Sequence, residues 1–75
     1  MKLYSVINTY KKECKVIKKY LGTFEDYSEA KETMSAFSLP VVNDGETFSL
    51  YEGRIYTVDL DAHKVVTEII IPRDI

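Results

Sequence analysis

The spacing of apolar positions changes twice along the chain. Leu3–Tyr10 reads L-Y-S-V-I-N-T-Y. Its β-branched and aromatic residues favour a pleated, half-buried surface, so it predicts a strand. Lys11–Cys14 is a polar break, and Lys15–Phe24 predicts a second strand through Val16, Ile17 and Tyr20. The two form an N-terminal hairpin. Tyr10, Cys14, Ile17 and Leu21 also fall at the i, i+4, i+7, i+11 spacing of a basic amphipathic helix. The β-branched pair and Gly22 favour the hairpin.

Over Asp26–Ser38 the period becomes helical. Tyr27, Ala30, Met34 and Phe37 form one apolar stripe. Asp26 is placed to accept from the backbone N–H of Glu29 while Glu29 reaches back, as in a capping box. Glu25, Asp26 and Glu29 suit the positive end of the helix dipole. Pro40 pushes the preceding residue out of the α region and ends the helix.

Strand spacing returns from Val41. Asn43-Asp44-Gly45 predicts a turn, and Thr47–Tyr51 a short strand. Glu52-Gly53 predicts a second turn of two-residue hairpin size. Arg54–Leu60 alternates, with Tyr56, Val58 and Leu60 on one face and Ile55, Thr57 and Asp59 on the other. Asp61–Lys64 predicts a third turn, and Val65–Ile71 the last strand, stopped by Pro72. The expected fold is α+β: a small antiparallel sheet of about five strands with one amphipathic helix on one face, in the order β-β-α-β-β-β. Residues 1–75 make a single domain.

One helix covers one face of such a sheet. The other face then needs polar residues, water or a partner. Ile69, Ile70 and Ile71 are apolar on both faces of their strand, which a one-sided sheet does not require. The chain also holds 6 tyrosines. Tyrosine is enriched at protein interfaces because it buries area and keeps a polar tip. Tyr4, Tyr10, Tyr51, Tyr56, Ile69, Ile70 and Ile71 are therefore the candidate partner-binding residues. A 75-residue chain buries a modest share of its surface and gains stability from a partner subunit, so a homodimer is expected.

Charge is unevenly laid out. Residues 1–20 carry six lysines against one carboxylate, Glu13. Residues 21–75 carry four basic residues against eleven carboxylates, and the net charge is −2. Lys11, Lys12, Lys15, Lys18 and Lys19 with Tyr20 interleave cations and an aromatic ring, the pattern that meets phosphates and stacks on bases. They are the candidate residues of an alternative, nucleic-acid-binding reading. The competing role is to guard an edge strand against aggregation. The acidic remainder would repel phosphate and favours that role.

Chemistry is thinly represented. Asp59, Asp61 and His63 offer metal-ligand types, but a turn breaks their alternation and aspartates in turns bond their own backbone. No metal and no cofactor are expected. Cys14 is the only cysteine and has lysines close by, yet the sole histidine is remote in sequence. No phosphate-binding glycine loop is present, and no enzymatic activity is expected. No apolar run reaches membrane-spanning length, and the first ten residues have no secretory apolar stretch. A cytoplasmic location without membrane association is the expectation.

Leu21-Gly22-Thr23-Phe24 followed by Asp26–Ala30 loosely resembles the strand-to-helix junction of peptidoglycan-binding SPOR domains. The preceding hairpin and the missing second helix depart from that pattern, and no family is assigned. The Lys-, Ile- and Tyr-rich style matches small proteins of AT-rich bacteria and their phages. The expectation from all of this is a non-enzymatic interaction module. Its role would be that of an accessory or inhibitory protein of a bacterium, phage or mobile element, acting on a partner protein.

Overall fold

Two long strands set the frame of the molecule. In the computed structural model, which describes residues 1–71, β1 (Lys2–Lys12) lies antiparallel between β2 (Lys15–Phe24) and β4 (Glu46–Asp59). β4 runs for 14 residues. At about 3.3 Å per residue it accounts for the long axis of the 43 × 19 × 19 Å molecule. Along its other edge β4 pairs in tandem with β3 (Val41–Asn43) near its start and with β5 (Lys64–Ile71) near its end. The helix α1 (Tyr27–Ala36) packs across β1, β2 and β4.

The element order matches the expected β-β-α-β-β-β, but the strands are cut differently. Glu52-Gly53 is not a turn. β4 passes straight through it, absorbing one extra residue as a bulge: Thr9 pairs with Glu52 and Tyr10 with Leu50, leaving Tyr51 unmatched. The two strands expected over Thr47–Tyr51 and Arg54–Leu60 are therefore one. The fifth strand is Val41–Asn43, closed on β4 by the Asp44-Gly45 turn, whose positive φ angles (50° and 81°) are those of a tight two-residue hairpin. Lys15–Phe24 is strand, not basic helix. Pro72 lies outside the described residues.

The helix starts as expected but is capped differently. The Asp26 carboxylate accepts from the backbone N–H of Ser28 at 2.9 Å, not from Glu29. Ala30 and Met34 are buried and Tyr27 is half-buried, but Phe37 falls beyond the last helical turn and is 50% exposed. The apolar stripe thus ends at Met34.

The core lies in two connected parts. Under the helix, Val6, Ile55, Ala30 and Met34 are fully buried, with Leu21, Phe24 and Ile70 packed on them. Further along the sheet, Tyr10, Phe48 and Leu50 form a second part with Ile17 and Val41. Ile71 packs against both. Tyr10 also ties the sheet to the end of the helix. Its hydroxyl donates to the Phe37 carbonyl at 2.5 Å and accepts from the Asn8 amide.

Candidate functional site

Residues paired across an antiparallel sheet share a face. Tyr4 meets Tyr27 of the helix edge-on, with ring centroids 5.5 Å apart. Tyr4, Val6, Asn8 and Tyr10 therefore look toward the helix, and Leu3, Ser5, Ile7, Thr9 and Lys11 look away from it. The register extends that second face into cross-sheet rows. Leu3, Val58 and Val65 make one row. Thr23, Ser5, Tyr56 and Thr67 make the next, and Tyr20, Ile7, Arg54 and Ile69 the third. Lys18, Thr9 and Glu52 follow toward the hairpin tip.

This outer face alternates apolar rows with polar ones. Tyr20, Val65 and Ile69 are 64%, 61% and 46% exposed, and Leu3, Ile7, Tyr56 and Val58 are half-buried. No element among the described residues packs over it. Its polar groups are organised in pairs. Arg54 donates to both oxygens of Glu52, at 2.7 and 3.1 Å. That carboxylate holds the guanidinium pKa above its ordinary value. The Ser5 and Thr23 hydroxyls are bonded at 2.8 Å, and the Lys11 ammonium lies 4.7 Å from the Tyr51 ring centre.

The candidate partner-binding residues divide between this face and the core. Tyr56 and Ile69 lie on the outer face. Tyr51 occupies the β4 bulge beneath Lys11. Tyr10 is fully buried, so its area is spent within the chain. Tyr4 packs against the helix, and Ile70 and Ile71 pack on the core, each half-buried. Leu3, Ile7, Val58 and Val65 join the outer face although sequence reasoning did not select them. The alternation of Leu3–Tyr10 and Arg54–Leu60 carried the signal, but only the register brings the two sets together.

The lysines do not form one surface. Lys11, Lys18 and Tyr20 lie on the outer face, whereas Lys12, Lys15 and Lys19 fall on the helix side by register. Lys15 is paired with Glu46, which lowers the Glu46 pKa chiefly through that hydrogen bond.

The polar candidates elsewhere have structural partners. The Asp59 carboxylate accepts from the backbone N–H groups of Asp61 and Ala62, both at 3.1 Å, and these bonds lower its pKa. Asp61 pairs with the amino group of Met1. Among the described residues no three His, Cys, Asp or Glu side chains converge on a metal position. Cys14 and His63 sit in turns at opposite ends of β1, roughly 30 Å apart by strand rise, so a thiolate–imidazole pair cannot form. The described residues enclose no pocket, and none of their helices is long and apolar enough to cross a membrane. No protein-family model matches the chain, and no curated protein or solved structure shows significant similarity to it.

Proposed function

We propose that this chain is a small protein-interaction module that binds a partner protein through the outer face of its sheet. The observation that supports this reading is the apolar row Leu3–Val58–Val65 together with Tyr56, Tyr20, Ile7 and Ile69, the last two on either side of Arg54, left without a covering element among the described residues. Burying apolar area of this kind is the main favourable term in association, and the tyrosines among these residues add area with little entropy cost. The Glu52–Arg54 pair supplies a preorganised polar contact within the face, Arg54 standing between Ile7 and Ile69. An accessory or inhibitory role, exerted by occupying a partner's surface, fits such a module. Nucleic-acid binding is the weaker reading, because the register divides the lysines between two faces and Lys15 is engaged by Glu46.

Affinity capture of the tagged chain from its host, with and without nuclease, tests the reading. A protein prey that survives nuclease, and is lost when Ile7→Asp and Tyr56→Ala are introduced together, supports it. A prey lost with nuclease, or one indifferent to both substitutions, overturns it.

A further inference from the structure

The edges of the sheet differ in how they are protected. β2 carries Lys15, Lys18 and Lys19 and a register shift at Leu21, both devices that keep a strand from pairing further. β5 carries a single lysine, Lys64, at its start, and over Lys64–Ile69 its pairing with β4 is unbroken. Val65, Val66 and Ile69 are 61%, 54% and 46% exposed. Among the described residues no strand lies beyond it. An exposed, β-branched edge of this kind is a template for another strand.

We infer that the β5 edge pairs with the β5 edge of a second copy of this chain, antiparallel about a two-fold axis at Val66. The two-fold selects the register. An antiparallel pair formed across an axis perpendicular to the sheet keeps each side chain on its own face, so only residues of like facing stand opposite each other. Lys64, Val66 and Glu68 share the helix-side face, and Val65 and Thr67 the outer face. With the axis at Val66, Lys64 stands opposite Glu68 of the other copy, and the relation occurs twice. Val66 meets its own equivalent, and Val65 meets Thr67.

Neighbouring registers lose this match. An axis at Thr67 sets Glu68 against Val66 and Lys64 against Ile70. An axis at Glu68 opposes two carboxylates, which is destabilising. Both charges are available for the favoured register. Lys64 forms no ion pair among the described residues. Glu68 takes the Tyr27 hydroxyl on one oxygen at 2.7 Å and leaves the other free. The product is a continuous sheet running from β2 of one copy to β2 of the other, ending on the two lysine-guarded edges. This pairing uses the strand edge rather than the outer face, so it stands independently of the partner reading.

Sedimentation equilibrium of the full chain at rising concentration, with charge-reversed variants, tests the register. The native chain should dimerise. Lys64→Glu alone and Glu68→Lys alone each place like charges opposite twice, and each should weaken the dimer by about tenfold or more. The double variant restores opposite charges and should return to within about threefold of native affinity. Circular dichroism checks that each variant is folded. A second measurement does not depend on these charges. In a Cys14→Ser background, Val66→Cys should cross-link to its own equivalent under mild oxidation, because that position lies on the axis, while Ile69→Cys should not. A native chain that stays monomeric at about 1 mM overturns the inference. So do single variants that dimerise like the native chain, a double variant that stays weak, and a Val66→Cys chain that does not cross-link.

Discussion

The sulfur of Met34 lies against the backbone of Gly53, so close that a β-carbon there would stand 2.7 Å from it. Both residues are buried, one in the middle of β4 and the other in the last turn of the helix. The Met34 side chain can pack this closely on the strand only because Gly53 has no side chain. Gly53→Ala should therefore cost about 1–3 kcal/mol through overpacking, read as a lower urea midpoint. Gly53→Ala combined with Met34→Ala should cost less than the two single changes added together, because the smaller helix residue removes the collision. Additive costs would show that the approach is not limiting.

That contact also explains where sequence reasoning went astray. Glu52-Gly53 has turn chemistry, and nothing local distinguishes a glycine needed for bending from one needed for clearance. The reason lies nineteen positions away, at Met34 on the helix. The Tyr51 bulge that lets β4 run on is likewise a property of the pairing with β1. By contrast, the hairpin of β1 and β2, the helix under its Asp26 cap and the Asp44-Gly45 turn were legible, because short-range propensity and periodicity determine them. The candidate surface was legible only in part. Tyr56 and Ile69 were selected by residue type, but Tyr10 has the same type and is a core residue with a bonded hydroxyl. Leu3 and Val58 became neighbours only through register, which depends on the bulges.

Tyr10 and Asn8 should respond unequally to loss of polarity. The Tyr10 hydroxyl donates to the Phe37 carbonyl and fixes the chain leaving the helix. Tyr10→Phe should cost about 1–2 kcal/mol, since a bonded group is lost at a buried site. Asn8 is fully buried, its amide N–H bonds are long, at 3.3 and 3.4 Å, and its Oδ1 has no partner among the described residues. Asn8→Leu, branched at the same carbon though larger, removes that unsatisfied oxygen and should cost less than Tyr10→Phe or stabilise the fold. Chemical denaturation of both variants gives the comparison. A larger loss for Asn8→Leu would show that its long bonds carry more than their geometry indicates.

The β1–β2 turn holds a removable strain. Glu13 occupies the left-handed region at φ 53°, where a side chain costs about 1 kcal/mol relative to glycine. Glu13 is exposed and forms no hydrogen bond or ion pair through its side chain among the described residues. Glu13→Gly should raise stability by about 0.5–1 kcal/mol, the relief being partly offset by the greater freedom of the unfolded glycine. A rise in melting temperature checks this, and a fall would mean that the entropy term dominates.

Acid should weaken the fold through two particular carboxylates. Glu46 is held below its ordinary pKa mainly by the hydrogen bond from Lys15, and Asp59 mainly by the backbone N–H of Ala62, then by that of Asp61. A carboxylate whose folded pKa is depressed binds its proton more readily in the unfolded chain. The stability it contributes is then fully present above the unfolded pKa, about 4 for these groups, and is lost as pH falls through the lower folded value. Both side chains are partly exposed, so salt should shrink the Glu46 part, whereas the Asp59 part rests on hydrogen bonds from backbone N–H groups and should persist. Urea midpoints measured from pH 7 to pH 2.5 should fall along this acid limb for the native chain. Asp59→Asn keeps an acceptor for the turn but cannot titrate, so it should flatten the limb at any ionic strength. Glu46→Gln should flatten it only at low salt. An acid limb unchanged in both variants would place the titrating groups elsewhere in the carboxylate-rich part of the chain.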